Sequence, residues 1–201
     1  MDHVVSVGRL VNSAQSYGTI AMRFCSTCGQ TVALRVPPGD TLERHVCNAC
    51  GEIHYLNPKM VVGAIPVMED RILLARRAIE PRLGFWTLPA GFMENNETTA
   101  QAAVRETLEE ACAEIEIEML YALVNIPHIS QVHLFYLAQL RSNRFAPGEE
   151  SLETRLFHLD EIPWDTLAFR SVSVTLRHYL ADRAAGRFAM HVEDLPPAAP
   201  M

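Results

Sequence analysis

The chain has 201 residues, 49% of them hydrophobic and 20% charged, enough for one compact domain plus a small module and unlike collagen, disordered or coiled-coil compositions. Seventeen basic residues stand against 24 acidic ones, a net charge of −7, which argues against nucleic acid and membrane surfaces as partners. The longest nearly unbroken apolar stretch, Met60 to Met68, contains Gly63 and Pro66 and falls well short of the ~20 residues a membrane-spanning helix requires.

Residues 1–22 read as a disordered leader. No basic start followed by an apolar core is present, so no secretory signal is read and the expected location is cytoplasmic. An organelle stroma is the alternative should residues 1–21 be a transit peptide, and translation from Met1 or from Met22 fits the sequence equally. Residues 23–57 then carry Cys25-x2-Cys28 and, eighteen residues on, Cys47-x2-Cys50, the two-knuckle spacing of a tetrathiolate zinc ribbon. Gly29 and Gly51 follow the two pairs, which fits tight turns whose N–H groups point at the sulfurs. Four thiolates fill a tetrahedral shell, so the Zn²⁺ expected here is structural.

A different pattern begins near residue 58 and runs to about 187. Val61 to Met68 and Arg71 to Arg76 read as a hairpin turning at Glu69-Asp70. Residues 98–111 read as a helix with a Thr98/Gln101 capping box and a buried stripe of Ala100, Ala103, Val104, Thr107, Leu108 and Ala111. Strands are expected over 115–124, 131–140 and Leu156–Leu159. A last helix is expected over 171–184 with Val172, Leu176, Tyr179 and Leu180 inward, and residues 188–201 read as a loose tail. The interleaving implies a mixed α+β architecture rather than a doubly wound parallel sheet.

The chemistry concentrates on the 98–111 helix. Glu106, Glu109 and Glu110 lie at i, i+3 and i+4, within roughly 100° of arc and opposite the expected apolar stripe. Like charges at this spacing repel, which suits a bound hard cation, Mg²⁺ or Mn²⁺. A solvated acidic face is the plainer reading of three glutamates alone.

The surrounding pattern, Gly91-x5-Glu97-x7-Arg105-Glu106-Thr107-x-Glu109-Glu110-x-Cys112, resembles the Nudix box, the signature of hydrolases that cleave nucleoside diphosphates linked to another moiety. Cys112 departs from it where the family has glycine, Thr107 where an aliphatic residue is usual and Ala113 where a larger apolar one is usual. Glycine past a helix end takes φ > 0, so the exit turn at Cys112 must differ or carry strain, and its thiol reads as buried filler rather than a nucleophile. The resemblance implies that Glu106, Glu109 and Glu110 hold divalent ions, that Arg105 pairs with Glu97, and that the backbone carbonyl near Ala90-Gly91 adds a ligand.

From about Arg23 to Arg187 the chain is similar to zinc-ribbon Nudix hydrolases of the plant plastid ADP-ribose/FAD pyrophosphatase type. The likeness rests on the ribbon, Tyr55–Lys59, Gly84–Ala90 and Phe145–Glu153. It implies a Nudix fold, an α/β/α sandwich around a mixed sheet, a homodimer, and FAD ahead of ADP-ribose and NADH as substrate. NADH pyrophosphatases are the nearest competitor, but their Ser-Gln-Pro-Trp-Pro-Phe-Pro array is absent from Asn125–Val132. Glu150 and Glu153 are the candidates for a water-activating base, each equally readable as a surface carboxylate. Trp86, Phe92, Trp164 and Phe169 are set down as core packing before stacking on a base or flavin ring, and His128 and His133 as core or surface before ligands. A non-catalytic nucleotide-sensing module is the alternative class, weakened because all four box glutamates are kept.

Overall fold

The computed structural model describes residues 22–198. These fall into two compact units that divide between Leu56 and Asn57. Apart from Met22, the expected leader lies outside the described residues. Among the described residues no helix is long and apolar enough to cross a membrane.

The first unit is a three-stranded antiparallel sheet of β1 (Val32–Arg35), β2 (Arg44–Cys47) and β3 (Ile53–His54), in that order. It has almost no apolar interior, since Leu34, Val36, Leu42 and Tyr55 are exposed and, among the described residues, the buried apolar ones are Cys25, Pro37, Val46 and Cys47. So small a core cannot hold a fold by burial alone, and a metal is the usual remedy.

The second unit is built on one mixed sheet. Its strands are β4 (Lys59–Met68), β5 (Arg71–Arg77), β6 (Trp86–Thr87), β7 (Ala90–Phe92), β8 (Ile115–Ile126), β9 (Gln131–Leu140), β10 (Ser151–His158) and β11 (His191–Asp194). The order is β10-β5-β4-β9-β8-β11, with β6 beside β5 and β7 beside β4. β4 runs parallel to β9 and β11 parallel to β8, the remaining pairs being antiparallel.

Period-two alternation sends alternate side chains to opposite faces. Val62, Ala64, Leu73 and Leu134 join Ala102, Ala103 and Ala111 of helix α1 (Thr99–Ala111), whereas Ile65, Val67, Ile72, Leu74 and Phe135 join Val172, Leu176 and Tyr179 of helix α2 (Arg170–Ala185). One helix covers each face, the expected α/β/α sandwich. The small residues of α1 let its axis approach the sheet closely, which matters for the site below.

Three expectations change. The tail expected to be loose contains β11, where His191–Asp194 pair with Ala122–Asn125 of β8 and Leu195 N–H donates to the Asn125 carbonyl. Its polar, Pro-flanked sequence hid a strand whose stability comes from its neighbour. β10 is longer than Leu156–Leu159 because it pairs with β5 through a bulge between Ser151 and Glu153. The stripe on α1 is also rotated: Ala102, Ala103, Glu106, Thr107, Glu110 and Ala111 are buried, while Val104 and Leu108 are 37% and 52% exposed. Two of the glutamates therefore share the inward face instead of opposing it.

Candidate active site and metal centres

Helix α1 starts where expected. Thr98 Oγ accepts from Gln101 N–H at 3.2 Å while Gln101 Oε1 accepts from Thr98 N–H at 2.8 Å, closing the capping box. From this fixed start, Arg105 reaches across the loop before the helix. Its Nε and Nη2 grip Glu97 with 3.0 and 2.7 Å bonds, Nη1 donates to Glu106 at 2.6 Å and to Glu109 at 2.9 Å, and Nη2 also donates to the Phe92 carbonyl at 3.2 Å. A planar fork suits this bidentate task, which an ammonium cannot perform. These bonds hold the Glu97 carboxyl below its ordinary range.

Glu106 and Glu110 press against β7. A Cβ on residue 91 would meet the Glu106 carboxylate, so any side chain there would displace that carboxylate from the position it holds. Ala90 N–H donates to Glu110 Oε2 at 3.2 Å, so the structure shows this loop meeting the carboxylates through its amide. Burial pushes the Glu110 carboxyl up to about 8, with Glu106 and Glu150 adding repulsion and Ala90 N–H and Arg77 opposing it. Burial raises Glu106 as well, against the pull of Arg105. Glu109 is the exposed member of the three. A buried pair of carboxylates that resists ionisation in the bare protein is a donor set suited to a hard divalent cation, whose charge would replace the missing compensation.

The loop after β9 completes the cluster. Ala146 N–H donates to the Ala111 carbonyl at 3.0 Å and Gly148 N–H to the Glu110 carbonyl at 3.1 Å, so this loop satisfies carbonyls at the end of α1. Gly148 lies flat on the helix backbone, and a Cβ there would overlap the Glu109 carbonyl oxygen. The approach brings Glu150 close enough to raise both Glu106 and Glu110. Glu153 is elsewhere, 3.7 Å from Arg76 Nη1. The structure thus separates the two base candidates, bringing Glu150 to the carboxylates and pairing Glu153 on the neighbouring strand edge.

Cys112 ends α1 in the left-handed region, φ 47° and ψ 34°, with its N–H bonded to the Leu108 carbonyl. The turn expected of glycine is kept by a residue with a Cβ. Its thiol is exposed, not the buried filler expected, because the helix exit turns the side chain outward. Phe92 also departs from core packing. Its ring is 51% exposed with Lys59 Nζ 5.0 Å from the centroid, since β7 is the short outer member of its pair. Trp86 packs edge-on to Phe157, Trp164 stacks under Arg177 and Phe169 under Arg77. His133 is buried between Ser171 Oγ and Gln131 Oε1, a structural role, and His128 is half-buried in the turn after β8.

In the ribbon, Sγ atoms of Cys25, Cys28, Cys47 and Cys50 lie within 4.8 Å of one another, with 3.4 Å between Cys28 and Cys47 and 3.7 Å between Cys25 and Cys50. Zn–S bonds of ~2.3 Å in a tetrahedron put sulfurs about 3.8 Å apart, so the thiols fit Zn²⁺. Thr27 N–H donates to Cys25 Sγ, and Ala49 and Cys50 N–H to Cys47 Sγ, each at 3.4 Å. His54, which the sequence reading missed, places Nε2 3.3 Å from Cys25 Sγ and supports the ligand from outside the shell. A lone histidine a few residues past the second knuckle gave no spacing signal of its own.

The comparisons with known proteins agree with this geometry. The NUDIX domain family matches residues 57–177, and the Nudix N-terminal zinc-ribbon family matches residues 23–56. The chain belongs to the Nudix family. A crystal structure of a NUDIX hydrolase from Nitrosomonas europaea is 54% identical, covering 87% of this chain and 99% of that one with a TM-score of 0.84. The NAD-capped RNA hydrolase NudC of Stutzerimonas stutzeri (strain A1501) is 32% identical over 163 residues, 77% of this chain and 55% of the relative. An ADP-ribose pyrophosphatase of Methanocaldococcus jannaschii is 28% identical over 115 residues, 54% of this chain and 67% of the relative. The chain thus spans about half the length of the NudC relatives it matches. In this Nudix protein the box is the Gly91–Cys112 segment whose glutamates are described above.

Proposed function

We propose that the protein hydrolyses the diphosphate linkage of a nucleoside diphosphate derivative, with ADP-ribose the best-supported substrate. The observation that carries the reading is the pairing of buried Glu106 and Glu110 with Glu150 nearby, Glu106 held by Arg105, Glu110 by the Ala90 N–H, and the Glu150 loop by its close approach to α1 at Gly148. Divalent Mg²⁺ or Mn²⁺ held by Glu106, Glu109 and Glu110 would screen the phosphates and lower the pKa of a bound water. The residues of the chain do the rest. Arg105 orients the carboxylates, and Glu150 accepts the proton of the attacking water. A new P–O bond forms to the water oxygen as the bridging P–O bond breaks, giving AMP and ribose 5-phosphate from ADP-ribose. Glu150 is preferred to Glu153 because the latter faces Arg76.

ADP-ribose is favoured because both the ribbon-to-tail resemblance and the name of the Methanocaldococcus relative point to it. An NAD-type substrate, free or as the 5′ end of an RNA, is the second reading. It is supported by the names of the NudC relatives, and the earlier exclusion of nucleic acid is relaxed to that extent. Against it stands the β8–β9 connection, a 3-10 turn at Pro127–Ile129 where NADH pyrophosphatases carry their aromatic array. FAD rests on the resemblance alone.

A panel of ADP-ribose, NADH, FAD and an NAD-capped oligoribonucleotide, ranked by kcat/KM with Mg²⁺ and Mn²⁺, tests the reading. ADP-ribose should lead and chelation should abolish turnover. A tenfold lead for NADH or the capped RNA would overturn the substrate assignment, and no hydrolysis of any of them would overturn the activity. Glu150→Gln should lower kcat far more than Glu153→Gln.

A further inference from the structure

Arg105 is a fully committed cation, its charge divided among Glu97, Glu106 and Glu109. Arg76 is committed too, donating from Nε to the Gly84 carbonyl and lying 3.7 Å from Glu153. Arg77 differs. It ends β5, its Nε donates to the Pro81 carbonyl at 2.8 Å, and among the described residues its two terminal nitrogens meet no protein acceptor. Its guanidinium carbon lies 5.1 Å from the centroid of the Phe169 ring, so the plane of the group is held by stacking.

Two backbone links put Arg77 beside the carboxylate cluster. Ala78 N–H donates to the Glu150 carbonyl at 2.8 Å, and Ser151 pairs with Arg77 in the β10–β5 register. Residues directly opposite on antiparallel strands project to one face, so Ser151 and Arg77 share it. Ser151 Oγ is buried without a hydrogen-bond partner.

A diphosphate entering this cluster adds negative charge to a site already crowded with carboxylates. Divalent cations offset the glutamates, and the substrate's own charge needs a further donor. A planar guanidinium with two free terminal nitrogens matches a pair of non-bridging phosphate oxygens. We infer that Arg77 binds the diphosphate of the substrate, donating from both terminal nitrogens while Phe169 fixes its orientation. The inference deepens the proposed function and rests on that reading for the identity of the substrate class. Arg77 takes no proton in the reaction. It orients and neutralises the phosphates, so a lysine there keeps the charge and loses the fork and the stack.

The test is calorimetric titration of the full-length, Mg²⁺-saturated protein with methylenediphosphonate, a non-hydrolysable diphosphate without a nucleoside. Arg77→Gln should weaken binding tenfold or more, Arg77→Lys by less, and Arg76→Gln not at all. Mn²⁺ affinity, read by electron paramagnetic resonance, should stay within twofold of wild type in all three. Should Arg77→Gln melt early, Arg77→Lys carries the test, with a threefold loss expected. Diphosphonate affinity within twofold of wild type in the folded variant, an equal loss of Mn²⁺ affinity, or no binding by the wild type would overturn the inference. Arg77-dependent diphosphonate binding in a protein that hydrolyses none of the nucleotide panel would sustain it while the proposed activity fell.

Discussion

The ribbon and the carboxylate helix both gather like charges for a cation, by opposite means. The ribbon draws four soft ligands from two tight turns close in sequence, and little apolar burial supports them. The helix site draws hard ligands from one turn of α1, and beside Arg105 on the same helix the neighbours that fix them come from outside it: Glu97 and Gly91 before the helix, Gly148 and Glu150 after β9. The first site makes its fold, and the second is made by its fold. That difference predicts different failures.

The largest effect should come from the ribbon thiols. Structural zinc contributes on the order of 10 kcal/mol of folding free energy. Cys25→Ser/Cys28→Ser should therefore abolish the expected single Zn²⁺ per chain and open residues 23–56 to proteolysis. Metal analysis finding no zinc in the wild type, or an unchanged digestion pattern, would break the contrast.

The helix site should fail in function first. Glu106→Gln and Glu110→Gln should each lower kcat about 100-fold or more with the fold intact, because they remove charge stabilisation specific to the transition state. Glu114→Gln, exposed just past the box, should be near neutral. Stability should even improve in one of these variants. In the metal-free protein Glu110 keeps its proton up to about pH 8, whereas the unfolded chain releases it near 4.5. The folded state therefore binds more protons between those values, and its stability falls as pH rises through them. Denaturant titration in buffer free of Mg²⁺ and Mn²⁺, with the ribbon zinc left in place, should show that slope in the wild type and a smaller one in Glu110→Gln, with added Mg²⁺ reducing it.

Gly148→Ala sharpens the comparison by leaving every ligand side chain in place while pressing on the backbone of Glu109 and Glu110. The new methyl must push the loop off the Glu109 carbonyl, at a cost of about 1–3 kcal/mol by the usual measure of overpacking. Since the loop carries Glu150, kcat should drop with it while Mn²⁺ affinity changes little. The smallest effect is expected at Cys112→Gly. A left-handed residue with a Cβ is strained by about 1–2 kcal/mol, part of which glycine returns as unfolded-chain entropy. A net gain of about 0.5–1 kcal/mol should register as a modest rise in Tm.

The same contrast explains what could be read in the sequence. The cysteine spacing and the box are local patterns, so Cys25 to Cys50 and Gly91 to Cys112 were legible at once. The capping box at Thr98 was legible for the same reason. The facing of α1 was not. Val104 and Leu108 look like core and Glu106 and Glu110 like surface until one knows that the small side chains of Ala102, Ala103 and Ala111 bring the helix down onto the sheet. Glu150 could not be told from Glu153, because the bulge between Ser151 and Glu153 that parts them is a property of strand pairing. Arg77 carried no motif at all. Its interest lies in what its neighbours leave unpaired.

β11 bears on how the molecule is made. Among the described residues, 122–125 of β8 find their outer neighbour in residues 191–194, and an open strand edge invites pairing with other chains. Synthesis runs from the N-terminus, so the ribbon and most of the sheet leave the ribosome while that edge still waits. Shortening the chain after Arg187 would make the wait permanent, and the expected phenotype is aggregation of a chain whose ribbon and box are otherwise intact.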